Sequence, residues 1–318
     1  MKDTQAWRQA SANARIFKPV AILCIVFGHF HTMGGRHVAV LAYWWNISAI
    51  ALIYFTICSA YFTRIKYRDR LDVGEFWANK VRRLGAKLVL VNGFLLAVFM
   101  ARGEDNIWSV HSLVNVLGMT GVLNWFGIQN VSPFGAGLWF LTLLFMFYAV
   151  FPWLRGLYDA FPGPGPTLAG VAACLVLDRT VPVGHTLWLT TAGYFVGMFL
   201  ADSRIRMDKT VALASMAGLL GAFVAFNVFQ IKVCNGLFLV LLAALFFILT
   251  MTIAFHRTPL RVLGLLDGAV LEIFMLHTYL FWYPTRMLAP DFMISLAIVC
   301  AVAVVLAQLS KRLARAGT

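Results

Sequence analysis

Charge is what this sequence has least of for its length. Asp, Glu, Lys and Arg make up only 12% of 318 residues, and 13 acids face 26 bases. A soluble chain of this size needs far more charge to cover its surface, so a water-soluble globular fold is excluded. Cysteine is scarce as well. The five cysteines (Cys24, Cys58, Cys174, Cys234 and Cys300) lie in or beside hydrophobic segments, and none has the paired spacing of a metal site. They read as small apolar packing residues, and no metal is expected. No internal repeat is apparent and no stretch is long enough for a soluble domain, so 1–318 is expected to be a single domain with no appended soluble one. Lys2, Arg8 and Arg15 precede the first hydrophobic run, but no small-residue cleavage site follows it; that run is expected to remain as an uncleaved span.

What the chain has in excess is apolar sequence. Hydrophobic residues reach 61% and the mean hydropathy is +0.81. They gather in segments near the ~20 residues that cross a bilayer core. The expected fold class is all-α, a polytopic transmembrane bundle of about ten spans: 16–33, 38–62, 82–101, 136–154, 166–182, 185–201, 209–230, 234–255, 269–288 and 291–309. The fifth is the weakest, bracketed by Pro164, Pro166 and Pro182 with Asp178 and Arg179 near its end. The longest non-spanning stretch, 102–135, carries Trp108, Trp125, Phe126 and Phe134, which suits a re-entrant or interfacial element.

The net charge of +13 follows from topology and not from a nucleic-acid partner. With the N-terminus in the cytoplasm, Arg64, Lys66, Arg68, Arg70, Lys80, Arg82, Arg83, Arg155, Arg204, Arg206, Lys209, Arg257, Arg261, Lys311, Arg312 and Arg315 all fall inside. The other side receives only Arg36, Arg102, Arg179, Lys232 and Arg286. That bias predicts an even number of spans and both termini in the cytoplasm.

Four stretches carry candidate chemistry. In the first span Lys18 precedes His29 by eleven positions, about three helical turns, so both share one face roughly 16 Å apart. Ionisable groups in an apolar span are costly and are functional candidates by default, although Lys18 snorkelling and His29 packed on a polar neighbour fit equally. The second span ends in Tyr54-Phe55-Thr56-Ile57-Cys58-Ser59-Ala60-Tyr61-Phe62, where small Ser59 and Ala60 permit close helix approach. Lys80-Val81-Arg82-Arg83 opens the third span and reads either as a topology signal or as a phosphate clamp. In the ninth span Glu272 must be neutral or paired, and His277, five positions on, points about 140° away from it.

Taken in order, these stretches resemble the integral-membrane acyltransferases of the acyltransferase-3 type, which include bacterial O-acetylases of O-antigen and exopolysaccharide. The likeness rests on Lys18 and His29 in the first span, and on Tyr54-Phe55 through Ser59-Ala60-Tyr61 in the second. It continues through Lys80, Arg83 and Leu84, Trp139-Phe140-Leu141 with Tyr148, and Phe274-Met275-Leu276-His277. Lysine stands at 18 and 80 where arginine is commoner in the family, Ala60 replaces glycine, and Ala86 stands where proline is frequent.

The resemblance implies transfer of an acyl group, acetyl being expected, from acyl-coenzyme A as co-substrate, with no bound cofactor. The acceptor would be a carbohydrate hydroxyl on a polysaccharide or lipid-linked saccharide, at the bacterial inner membrane. His29 would be the catalyst, as general base or through an acyl-histidine relay. Lys18, Lys80 and Arg83 would meet the donor's phosphates, with Ser59, Tyr61, Trp139, Glu272 and His277 in support. The rival class is a transporter or flippase of a lipid-linked or small solute that uses Lys18, His29, Glu272 and His277 as a polar path. The charge bias generates a direct test of orientation. Reporter fusions after Arg70 and after Arg315 should report cytoplasm and one near Asn124 the outside; a cytoplasmic signal at Asn124 overturns the ten-span arrangement.

Overall fold

The computed structural model describes residues 4–34, 41, 43–181, 183–184, 186–203, 205, 207–252 and 261–316. Lys2, Arg36, Arg204, Arg206 and Arg257, and the span limits set at 38, 182, 185 and 255, lie outside them. Among the described residues every regular element is helical. The order is α1 (Thr4–Met33), α2 (Trp44–Lys66), α3 (Val73–Arg102), α4 (Val110–Val116), α5 (Thr120–Trp125), α6 (Trp139–Ala160), α7 (Gly165–Thr180), α8 (Leu187–Asp202), α9 (Lys209–Val228), α10 (Asn235–Thr252), α11 (Arg261–Asp267), α12 (Val270–Leu276) and α13 (Leu288–Ala316).

The all-α membrane bundle expected from composition is what the chain forms. Among the described residues seven helices are long and apolar enough to cross a bilayer. The helices α7 and α8 have 16 residues each, a rise of about 24 Å, somewhat short of the ~30 Å hydrocarbon core. Two expectations need adjustment. The third span starts nine residues earlier than 82, because Asp72 is extended and its side chain accepts the Glu75 N–H as an N-cap. The segment 269–288 is not one helix: α12 ends at Leu276, a 3-10 turn covers His277–Tyr279, and residues 280–287 are irregular.

The chain divides into two interleaved compact units, Met1–Ile25, Val38–Arg70 and Trp153–Gly264 in the first, Val26–His37, Leu71–Pro152 and Leu265–Thr318 in the second. The first unit is organised by the contact of α2 with α8. A Cβ placed on Gly197 would lie 2.5 Å from the Ile57 carbonyl oxygen and 2.8 Å from Ala60 Cβ. One placed on Gly193 would lie 2.7 Å from Thr56 Oγ1. Two glycines four apart thus bring the backbones together, and Thr56 Oγ1 donates across the gap to the Thr190 carbonyl at 2.8 Å. At one end Arg64, nearly fully buried, binds Asp159 and Asp202. On the other side of α2, Tyr54 and Tyr61 pack on Phe247 of α10, the latter with ring centroids 5.0 Å apart.

The second unit packs α3, α12 and α13 with the end of α1 and the first part of α6. The irregular stretch after the 3-10 turn is held by α13. Ser295 Oγ accepts from the Trp282 N–H and donates to the Trp282 carbonyl, and Asp291 Oδ1 accepts from Thr285 N–H and Oγ1. Both side chains are fully buried. Irregular backbone at membrane depth survives only with such partners. The stretch 103–138 folds as α4 and α5 against α6: Thr142 Oγ1 accepts the Gly121 N–H and donates to the Gly118 carbonyl, both at 2.8 Å. Trp108 and Phe126 remain exposed there, as an interfacial element requires.

The α2–α8 contact gives a stability test. Gly197→Leu must push two backbones apart and should destabilise by at least the ~1–3 kcal/mol of an overpacked core. Gly218→Leu on α9, where an added Cβ meets nothing within 4 Å, should be neutral. Melting of the detergent-purified variants compares them; equal melting temperatures would deny the close approach.

Candidate active site

His29 lies in the penultimate turn of α1 and is half-buried. His31, two residues on, is a different case. Its Nδ1 is 3.2 Å from the Gly28 carbonyl, Thr32 Oγ1 is 3.1 Å away, and its ring stacks near Phe27. It is buried and engaged in the fold of its own turn.

The ring that stands beside His29 is His277, with centroids 5.0 Å apart and planes at 59°. His277 is fully buried at the start of the 3-10 turn. Its Nδ1 is 2.7 Å from the Phe274 carbonyl. A carbonyl only accepts, so Nδ1 carries the proton and Nε2 presents a lone pair. That Nε2 is buried and has no hydrogen-bond partner among the described residues.

A glycine turn closes the third side. Gly137, at φ 74°, is close enough that a Cβ there would touch Thr278 Cγ2 at 3.4 Å and His29 Cε1 at 3.7 Å. Only glycine takes this left-handed backbone without strain. The turn is stitched to the 3-10 segment: the Ala136 N–H donates to Tyr279 Oη at 2.8 Å, and Thr278 Oγ1 donates to the Ala136 carbonyl at 3.0 Å. Behind it Asn115 Nδ2 donates to the Phe134 carbonyl and to Asn130 Oδ1. Trp139, buried, opens α6 directly after this turn; its ring meets Phe140, which in turn meets Phe274.

The basic residues of α3 divide by face. Lys80 Nζ lies 3.8 Å over the Tyr148 ring, and Arg83 Nη2 is 3.4 Å from Tyr148 Oη. Arg82 instead donates to Asn79 on the exposed side. One turn beyond Arg83, Lys87 Nζ meets Glu272 Oε1 at 2.5 Å, with Glu272 fully buried. Glu272 therefore turns to α3 while His277 turns to His29, in keeping with their wide angular separation. Lys87 escaped the sequence reading; a lone carboxylate in a span, with a lysine on the Lys80–Arg83 face of another, was the signal available. Lys18, Ser59 and Tyr61 belong to the first unit: Lys18 and Ser59 half-buried, Tyr61 buried against Phe247.

Removing one partner of a buried pair strands the other charge, at a cost of about 3–5 kcal/mol, whereas replacing both with apolar groups is far milder. Lys87→Met and Glu272→Met singly should each lower the melting temperature sharply, and the double variant should recover most of it. Single variants that melt with the parent protein would mean that the pair is not formed.

Against known sequences, the acyltransferase-3 family model, described as an acyltransferase domain, matches residues 14–311. No curated protein and no solved structure shows a significant match. The matched region takes in α1 with His29, the basic face of α3, the glycine turn and the broken segment with His277. This chain belongs to the acyltransferase-3 family, and it is a multi-pass membrane acyltransferase.

Proposed function

We propose that the protein moves an acyl group, acetyl being expected, from acyl-coenzyme A to a hydroxyl of a surface or exported glycan, with His29 as general base. The observation that supports this most is the half-buried His29 ring beside a second imidazole and a glycine turn. In this reading His29 takes the proton of the acceptor hydroxyl as its oxygen bonds to the thioester carbon. Collapse of the tetrahedral intermediate then breaks the C–S bond, and the departing thiolate recovers that proton from the imidazolium. An acyl-histidine relay would use the same ring. Lys80 and Arg83 flank Tyr148 on one face of α3 and are suited to donor phosphates, with Lys18 as a third candidate. The charge bias supports a cytoplasmic position for this cluster, the side on which acyl-coenzyme A is found. Membership of an acyltransferase family weighs against the transporter reading.

One kinetic series tests the assignment. His29→Ala should lose about a hundred- to ten-thousand-fold in transfer from radiolabelled acetyl-coenzyme A while keeping normal membrane abundance. Arg83→Ala should raise the donor KM by about ten- to a hundred-fold, the worth of one charge-assisted contact. His31→Ala should lower the melting temperature and leave turnover per folded molecule close to that of the parent. Substantial turnover in His29→Ala, or an equal loss in His31→Ala, would show that His29 is not the catalyst.

A further inference from the structure

We infer that His277 is a substrate-binding residue of the same site, its Nε2 accepting a hydrogen bond from the acceptor's attacking hydroxyl. The inference rests on the acyl-transfer reading above and adds to it the group that orients the nucleophile. Three observations carry it. First, the hydrogen bond from Nδ1 to the Phe274 carbonyl at 2.7 Å fixes the tautomer, so Nε2 is an acceptor. Second, that nitrogen is buried without a partner among the described residues, on a side chain with no exposure. Buried acceptors are almost always satisfied, and one left open in a folded site calls for a donor from outside the chain. Third, the ring lies 5.0 Å, centroid to centroid, from the proposed base, so a substrate that reaches His29 is within reach of His277.

The reaction itself narrows the donor. Of the groups that meet at the bond being made, the thioester carbonyl and its sulfur carry no proton; the acceptor hydroxyl does. A hydroxyl held by its proton on one imidazole must hand that proton over as its oxygen attacks. A hydroxyl has a single proton, so the O–H rests on His277 Nε2 as the acceptor binds and turns to His29, which takes the proton as the oxygen attacks. The donor's pantetheine amide is the other N–H within a few bonds of the sulfur, and the experiment separates the two. The 3-10 turn keeps His277 rigid, since its neighbours Thr278 and Tyr279 both bond to Ala136.

The test uses the full-length protein in nanodiscs, radiolabelled acetyl-coenzyme A as donor, and methyl glycosides as acceptor probes, with water as the background acceptor. His277→Phe removes the lone pair and keeps a ring. It should cut transfer by about ten- to a hundred-fold, the loss of one hydrogen bond to a reacting group, and leave acetyl-coenzyme A affinity unchanged. His277→Gln can present Oε1 where Nε2 stood and should retain clearly more activity than the phenylalanine variant. A fall in acetyl-coenzyme A affinity as large as the fall in transfer would overturn the inference in favour of the pantetheine amide. If both variants only melt earlier, with turnover per folded molecule intact, His277 is structural and the inference fails. His29→Ala in the same assay keeps the two readings apart: turnover in that variant removes the base, whereas the split between donor affinity and transfer at position 277 judges His277 alone. A parent protein that transfers to no hydroxyl, water included, would remove both.

Discussion

Inside a membrane protein there is no bulk water to bond a backbone group that leaves a helix, and each such group left alone costs several kcal/mol in a hydrocarbon setting, about 4–8 by transfer measurements. The second unit is built around meeting that demand in one place. After Leu276 the chain stops being α-helical, and buried side chains take up several of the backbone groups this releases. Asp291 and Ser295 lie four residues apart on α13, and so on one face, and they take up the backbone at Thr285 and Trp282. Tyr279 and Thr278 bond to Ala136 instead of to their own helix. The break is thus as well fixed as a helix would be, and it carries His277 at its start.

The same break lets one short element serve two partners. Glu272 and His277 could not both meet a single neighbour from a straight helix, being about 140° apart. Here Glu272 is bound by Lys87 of α3, while His277 faces His29 at the end of α1. Lys80, Arg83 and Lys87 occupy one face of α3 over about 10 Å of rise. The outer two gather at Tyr148 and the innermost is neutralised by Glu272. The basic face therefore ends on the element that leads into His277, which joins the proposed phosphate contacts to the proposed reaction site through a chain of side-chain contacts.

The fold class was legible because it is an average, hydropathy over some twenty residues. The His29 candidate was legible because a polar residue in an apolar run stands out. What escaped depends on pairs. The stretch Phe281-Trp282-Tyr283 is apolar enough to read as span, and only Asp291 and Ser295, which partner it from the next helix, reveal that it is not helical. Lys87 was hidden because a window of mean hydropathy absorbs one lysine. Ser59 and Ala60 suggested close packing of α2, and Ala60 does lie at the approach, whose other side is formed by Gly193 and Gly197 on the opposing helix. No pattern in α2 could name them.

The histidines show how little of a site lies in residue type. His31 and His277 use the same local device, an Nδ1–H donated to the carbonyl three residues back, at Gly28 and Phe274. In a neutral ring this bond leaves the lone pair on Nε2. They part company in what surrounds the ring. His31 is packed along Phe27 within its own helix and beside Thr32, whose hydroxyl lies 3.1 Å from its Nδ1. His277 has the rings of Phe274 and Phe281 on its flanks, which have no acceptor or donor to offer, and His29 in front. Apolar flanks offer the Nε2 atom no partner among the described residues. The chemistry is therefore set by the neighbours packed around each ring.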